Sequence, residues 1–180
     1  KRLVIFTYAD KKYSLFVLPY IYFALKHNED AFVEVVVEDI EYFMSIYSEG
    51  VEELTVLFST SFEIRESSVD ANSSKYSPNV RRFIETPRNK CHYVYIGDID
   101  LLILENITET HEKIIKEHKL EFSNIVRKPI VGNKPRLSGL HFCEFDKMYP
   151  LPQIDDLDLH TLNDEHVLFK IMERKGFEVP

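Results

Sequence analysis

Residues 3–7, Leu-Val-Ile-Phe-Thr, open the chain as an apolar run, the pattern of a strand buried on both faces. Residues 8–13, Tyr-Ala-Asp-Lys-Lys-Tyr, then turn polar and predict a loop at its carboxyl end. From Pro19 the apolar positions take helical spacing, with Ile21 and Leu25 on one side, and stop near His27-Asn28. Residues 33–37, rich in β-branched side chains, predict a second strand. Ile40, Phe43, Met44 and Tyr47 recur at i, i+3, i+4 and i+7, a helical stripe expected to stop at Gly50. Residues 54–58 predict a third strand.

Residues 59–77 differ in character, with Ser-Ser pairs, Asn72 and few aliphatic side chains. They predict a mobile loop, with a short strand around Phe62-Glu-Ile64. Val80, Phe83 and Ile84 predict a short helix that bears Arg81 and Arg82 and is closed by Pro87. Residues 93–96 are the expected central strand, and residues 101–104 are expected to continue extended. Thr108 is the expected cap of a charged helix that reaches about His118. Residues 129–135 predict a loop, and residues 136–142 a strand with a small pair, Ser138-Gly139, in its middle. The last helix spans residues 159–175, on Val167, Leu168, Ile171 and Met172, with Gly176 as its stop. Strands and helices alternate from the start. The expected fold is therefore an α/β domain over residues 1–180, with a mainly parallel central sheet flanked by helices.

Length and charge narrow the function classes. At 180 residues the chain is long enough to bury a proper core. A net charge of −8 argues against a nucleic-acid partner, since phosphate backbones recruit an excess of Lys and Arg. A small phosphorylated ligand held by a metal and one or two arginines stays open. Cys91 and Cys143 form no Cys-x-x-Cys spacing, so reduced thiols and a cytoplasmic location, free or peripheral to a membrane, are expected. No apolar stretch approaches the length of a transmembrane segment. The chain begins without Met and stops at Pro180 soon after a helix, as a trimmed piece or fragment of a longer protein would.

One stretch carries the clearest chemistry. In Tyr93-Val-Tyr-Ile-Gly-Asp98-Ile-Asp100-Leu-Leu-Ile-Leu, an apolar run ends in two acids one residue apart and then resumes. In open α/β sheets the ligand crevice lies outside the carboxyl ends of the strands. Residues two apart in an extended segment point to the same side, so Asp98 and Asp100 can face one divalent cation, and Gly97 permits close backbone approach. The alternative makes both acids ordinary turn residues. Two more polar groups fall at element ends that such a sheet would bring to the same edge: the loop 8–13 and Asn163-Asp164-Glu165. Asp164 and Glu165 are either helix caps or carboxylates that orient a hydroxyl or stabilise a developing positive centre.

The order of these motifs resembles GT-A fold glycosyltransferases, closest in layout to family 8. The residues that carry the resemblance are Ala9-Asp-Lys-Lys-Tyr13, the Arg-bearing helix, Tyr-Ile-Gly-Asp98-Ile-Asp100, Leu137-Ser-Gly-Leu140 and Asn-Asp-Glu165. The resemblance implies that Thr7, Tyr8, Ala9, Asp10 and Tyr13 hold the nucleotide base and ribose. It implies that Arg81 or its neighbour Arg82 touches the diphosphate or sugar. Asp98 and Asp100, with Gly97 and Ile99 beside them, would bind Mn2+ or Mg2+ and the nucleotide sugar. Ser138 and Gly139 would line the sugar site, where the family's Asn is replaced by Leu137. Asp164 and Glu165 would stand in the family's catalytic Asp-Gln pair, with Gln replaced. The family's third metal ligand, a His in a His-x-x-Gly-x-x-Lys-Pro-Trp segment, has no match in a chain without Trp. His141 or His160 would have to substitute, unless His141 is a packed strand residue.

The implied activity is transfer of a hexose from a nucleotide-diphosphate sugar to a hydroxyl of a saccharide or glycolipid acceptor. Surface polysaccharide or glycolipid synthesis is the implied setting, with retention of anomeric configuration. Two alternatives come from other classes. Small nucleotidyltransferases carry a similar acidic strand but need a Gly-Ser pair upstream, where this chain has Thr86-Pro-Arg-Asn-Lys90. A non-catalytic nucleotide-sugar binding module is the other. An aspartate-nucleophile phosphatase would want Thr or Val at position 102, which is Leu.

Overall fold

The computed structural model describes residues 1–68, 76–127 and 135–178. Most of the expected 129–135 loop, and the middle of the 59–77 loop with Asn72, lie outside the described residues. The chain runs β1 (Leu3–Ala9), α1 (Val17–His27), β2 (Ala31–Val37), α2 (Ile40–Phe58), β3 (Phe62–Glu66), α3 (Arg81–Ile84), β4 (Tyr93–Ile96), α4 (Ile107–His118), β5 (Phe122–Ser123), β6 (Val126–Arg127), β7 (Arg136–Leu137), β8 (His141–Glu144), α5 (Phe145–Met148) and α6 (Asp164–Arg174). Short 3-10 turns at Ser14–Phe16 and Pro78–Val80 lead into α1 and α3.

Among the described residues the main sheet has six strands in the order β3-β2-β1-β4-β8-β5. The first four are parallel, and β8 runs antiparallel to both of its neighbours. This is the expected mainly parallel α/β sheet. β1 lies inside it with every residue buried, which is why its sequence is apolar at successive positions and not at alternate ones. Its side chains still alternate between two cores. Leu3 and Ile5 pack with α1, α2 and α4 through Ile21, Phe43 and Ile107, whereas Val4 and Phe6 pack with α3 and α6 through Phe83 and Val167. No helix of the described residues is long and apolar enough to cross a membrane.

Five element assignments need correction. The helix expected to stop at Gly50 continues to Phe58 and absorbs the expected strand 54–58. A Cβ at Gly50 would come 2.4 Å from Leu18 Cδ1, so this glycine lets α1 lie close against α2 and does not end the helix. The true third strand is β3, at the Phe62-Glu-Ile64 segment. Residues 101–104 are not extended: Leu101 N donates to Asp98 O in a turn, and Leu101, Leu102 and Leu104 are exposed while Ile103 is buried. Asn106, not Thr108, caps α4, its side chain accepting from Glu109 N. The expected strand 136–142 is two strands, β7 and β8, broken at Ser138-Gly139-Leu140. The last helix begins at Asp164 rather than 159, capped by Asn163, and ends before Gly176, whose φ is +85°.

A buried charge cluster ties β2 and β3 to the segment that enters β4. Glu34 is fully buried and accepts from Arg65 Nε at 2.8 Å and from the backbone N–H groups of Arg88 and Asn89 at 2.9 and 3.2 Å. Arg65 also reaches Glu85 Oε2 at 3.3 Å. Glu34, Arg65 and Glu85 are all buried, so their charges act as one unit.

Candidate active site

The carboxyl ends of β1 and β4, the start of α3 and the start of α6 enclose a cleft of about 400 Å³. Three groups that lie far apart in sequence line it: Tyr8 near the end of β1 with Asp10 and Tyr13 beyond it, Asp98, Ile99 and Asp100 after β4, and Asp164 at α6. Parallel strands end on one side of a sheet, so the loops that follow β1 and β4 meet there. Asp10 is itself fixed by a turn, its Oδ1 accepting from Tyr13 N at 2.9 Å.

Arg82 organises the floor. Its Nη2 lies 2.8 Å from Asp98 Oδ1 and 2.7 Å from Asp164 Oδ2, so one nitrogen bridges the β4 end and the α6 start. The guanidinium is buried, and its Nε has no hydrogen-bond partner among the described residues. Gly139 closes the third side. A Cβ there would come 2.7 Å from Arg82 Nη2 and 3.2 Å from Asp98 Oδ2, so a larger residue would push the ion pair apart. Gly97 N donates to Phe6 O at 3.2 Å and Gly97 O accepts from Thr7 Oγ1 at 2.8 Å, which anchors the acid turn to β1. The two acids stand in that turn and not in an extended segment, yet both line the cleft.

Not every residue singled out in the sequence reaches this cleft. Thr7 is fully buried as the β1–β4 tie, Ala9 belongs to the core, and Ser138 is buried with its N–H on Asn124 Oδ1 at 2.8 Å. Arg81 lies under the Tyr8 ring, 5.5 Å from its centroid, and it is Arg82 that faces the acids. Burial pushes the Tyr8 hydroxyl up to about 12 against the pull of the Arg81 charge, so Tyr8 offers the cleft a neutral hydroxyl. Glu165 does not line the cleft; Arg127 Nε meets its Oε1 at 2.9 Å and Arg136 Nε its Oε2 at 3.5 Å. Pro78, Asn79 and Leu101 line the cleft without having been marked by the sequence. They sit in irregular turns, where no periodicity singles a residue out.

His141 is a packed strand residue. It is fully buried in β8 beside Phe122, with Asn124 Nδ2 3.1 Å from its Nδ1. His160 is exposed and lies off the cleft. Burial pushes the His141 imidazole down from 6.5 to about 3. The unfolded chain thus takes up a proton below pH 6.5 that the folded chain refuses, and stability falls as pH drops from 6.5 toward 3. His141→Phe is expected to flatten that part of the acid-unfolding profile, as followed by circular dichroism.

The donor set fits a divalent ion held in part by its ligand. Among the described residues no group of three or more His, Cys, Asp or Glu side chains is placed to hold a metal. Asp98 and Asp100 supply hard carboxylate oxygens on one wall. Mg2+ and Mn2+ sites that serve phosphates use that arrangement, with one or two carboxylates and the remaining positions filled by substrate and water.

No family model matches the sequence, and no curated protein matches it. Among solved structures the chain is similar to the glycosyltransferase GlyE of Streptococcus pneumoniae TIGR4, with a TM-score of 0.59 and 14% identity over 97% of this chain and 44% of that one. It is similar to S. aureus TarS 1-349, with a TM-score of 0.53 and 10% identity over 89% of this chain and 53% of that one. A second S. aureus TarS structure gives 0.51 and 14% over 84% and 30%. At these identities the likeness establishes a fold shared with these proteins. The chain spans between 30% and 53% of the length of these proteins.

Proposed function

We propose that the cleft binds a nucleotide-diphosphate sugar and that the protein transfers its hexose to a hydroxyl of a saccharide or glycolipid acceptor. The observation that carries this reading is the convergence of Asp98, Asp100, Arg82 and Asp164 at the strand ends of a glycosyltransferase fold. Family 8 of the GT-A glycosyltransferases is the group whose motif order the chain resembles, and retention of configuration goes with that assignment.

Charge favours a reaction that depends on a metal. Among the described residues four carboxylates, Asp10, Asp98, Asp100 and Asp164, face the cleft against the one guanidinium of Arg82. A diphosphate entering alone would meet repulsion. Mn2+ or Mg2+ held by Asp98 and Asp100 would neutralise the charge that grows on the departing diphosphate. In the transfer, the bond from the anomeric carbon to the diphosphate oxygen breaks, a bond to the acceptor oxygen forms, and the hydroxyl proton passes to the departing diphosphate. Asp164, fixed by Arg82, is the cleft carboxylate at the start of α6 and would orient the sugar; Glu165 supports it by holding the neighbouring hairpin. Tyr8 and Tyr13 offer rings to the base, and Asp10 an acceptor to the ribose.

Thermal unfolding with a panel of nucleoside diphosphates and nucleotide sugars, with and without Mn2+, tests the reading. A ligand present at about a hundred times its Kd raises stability by about 2.7 kcal/mol. A Mn2+-dependent rise with diphosphates of one base is expected. A rise with triphosphates alone would favour nucleotidyl transfer, and no rise with any nucleotide would reject the cleft as a donor site.

A further inference from the structure

We propose that Arg127 and Arg136 hold an anionic group of the acceptor, a phosphate or carboxylate carried by the saccharide, beside the point of transfer. This rests on the glycosyltransferase reading of the cleft. The two arginines stand directly opposite each other in the β6–β7 hairpin. Like charges so placed repel and weaken the pairing unless something neutralises them.

Glu165 does half of that work. It faces both guanidinium groups, at 2.9 and 3.5 Å, and each contact is made through Nε. Two cations against one carboxylate leave a unit of positive charge, in a chain whose net charge is −8. The terminal nitrogens of both forks are unused: none donates a hydrogen bond to a described residue. The Arg127 side chain is 50% exposed and that of Arg136 29% exposed, so an anion can reach them from solvent. The planar fork matches phosphate and carboxylate oxygens two at a time.

Position assigns the ligand. Arg136 lies three residues before Gly139, which touches the Arg82–Asp98 pair, and Glu165 follows Asp164, which Arg82 holds. The surplus positive charge therefore borders the acidic cleft. Neither arginine lines the cleft itself. The donor diphosphate is served inside the cleft, which leaves the arginines to the other substrate.

The test follows the arginine side-chain Nε–H resonances of the 15N-labelled protein during separate titrations with inorganic phosphate, glucose 6-phosphate, and ADP, GDP or UDP with Mg2+. Phosphate and glucose 6-phosphate are expected to move the Arg127 and Arg136 signals. Arg127→Gln, read from the Arg136 signal, should weaken that binding by about tenfold or more, the scale of one lost charge-assisted hydrogen bond. Glu165→Gln, which removes the competing carboxylate, should tighten it several-fold, by roughly the strength of one charge pair near the surface. Asp98→Ala should leave it unchanged, so loss of nucleotide binding and loss of anion binding read out separately. Unmoved arginine signals, weaker binding in a folded Glu165→Gln protein, or displacement of phosphate from the arginines by the diphosphates would each overturn the proposal.

Discussion

Asp98→Ala is expected to abolish the Mn2+-dependent stabilisation by donor nucleotide while leaving the protein folded. Asp98 takes part in both interactions the proposal requires: it is one of two carboxylates on the metal wall and one of two that fix Arg82. Removing it deletes a ligand charge and frees the guanidinium to swing toward Asp164 alone. Each charge-assisted contact is worth about 1.5–3 kcal/mol, so the donor complex should weaken by a hundredfold or more, roughly 3 kcal/mol. The fold should tolerate the change, because Arg82 keeps Asp164 at 2.7 Å and the Asp98 side chain is 35% exposed. Asp98→Asn separates charge from shape, and should lose the metal dependence with less disturbance of Arg82. A donor shift that survives in Asp98→Ala would reject the metal assignment.

The largest effect on stability is expected at Glu34. Glu34→Leu strips the partner from the buried Arg65 Nε and from the backbone N–H groups of Arg88 and Asn89. Breaking a buried ion pair from one side costs about 3–5 kcal/mol. A domain of this size has about 5–15 kcal/mol in hand, so the variant should lose roughly a fifth of its stability or more. Arg65→Leu should cost less, since Glu34 keeps its backbone donors. Urea titration checks both: the midpoint should fall, further for Glu34→Leu than for Arg65→Leu, with the slope unchanged.

The sequence was most legible where burial is uniform and least where a choice between neighbours depends on rotation. β1, β2 and β4 stood out because strands inside a parallel sheet must be apolar on both faces. The acid turn stood out because two carboxylates interrupt that pattern. Leu54–Phe58 misled because Leu, Val and Phe suit strand and helix alike; in α2 only Leu54 of this group is buried, while Val56 is 84% exposed. Gly50 looked like a stop because the steric demand it answers comes from Leu18 on another helix. Arg81 and Arg82, and likewise Asp164 and Glu165, are adjacent residues about 100° apart around a helix. Which member turns to the cleft follows from how α3 and α6 seat on the sheet. In both cases the second partner still matters, packing against Tyr8 or holding the hairpin.

The strand order has a consequence for how the molecule comes together. β8 lies between β4 and β5, although the chain makes both of those first. Among the described residues β5 pairs with β8 alone, so it has no place in the sheet until β8 arrives. The early strands β1, β2 and β3 join through nearer segments and close shorter loops, which is the faster route. Gly139 and Asp164, which complete the surroundings of Arg82 and Asp98, belong to the late part. Nucleotide binding is therefore the last property the folding chain should gain, and in a refolding experiment it should lag behind the return of helical signal.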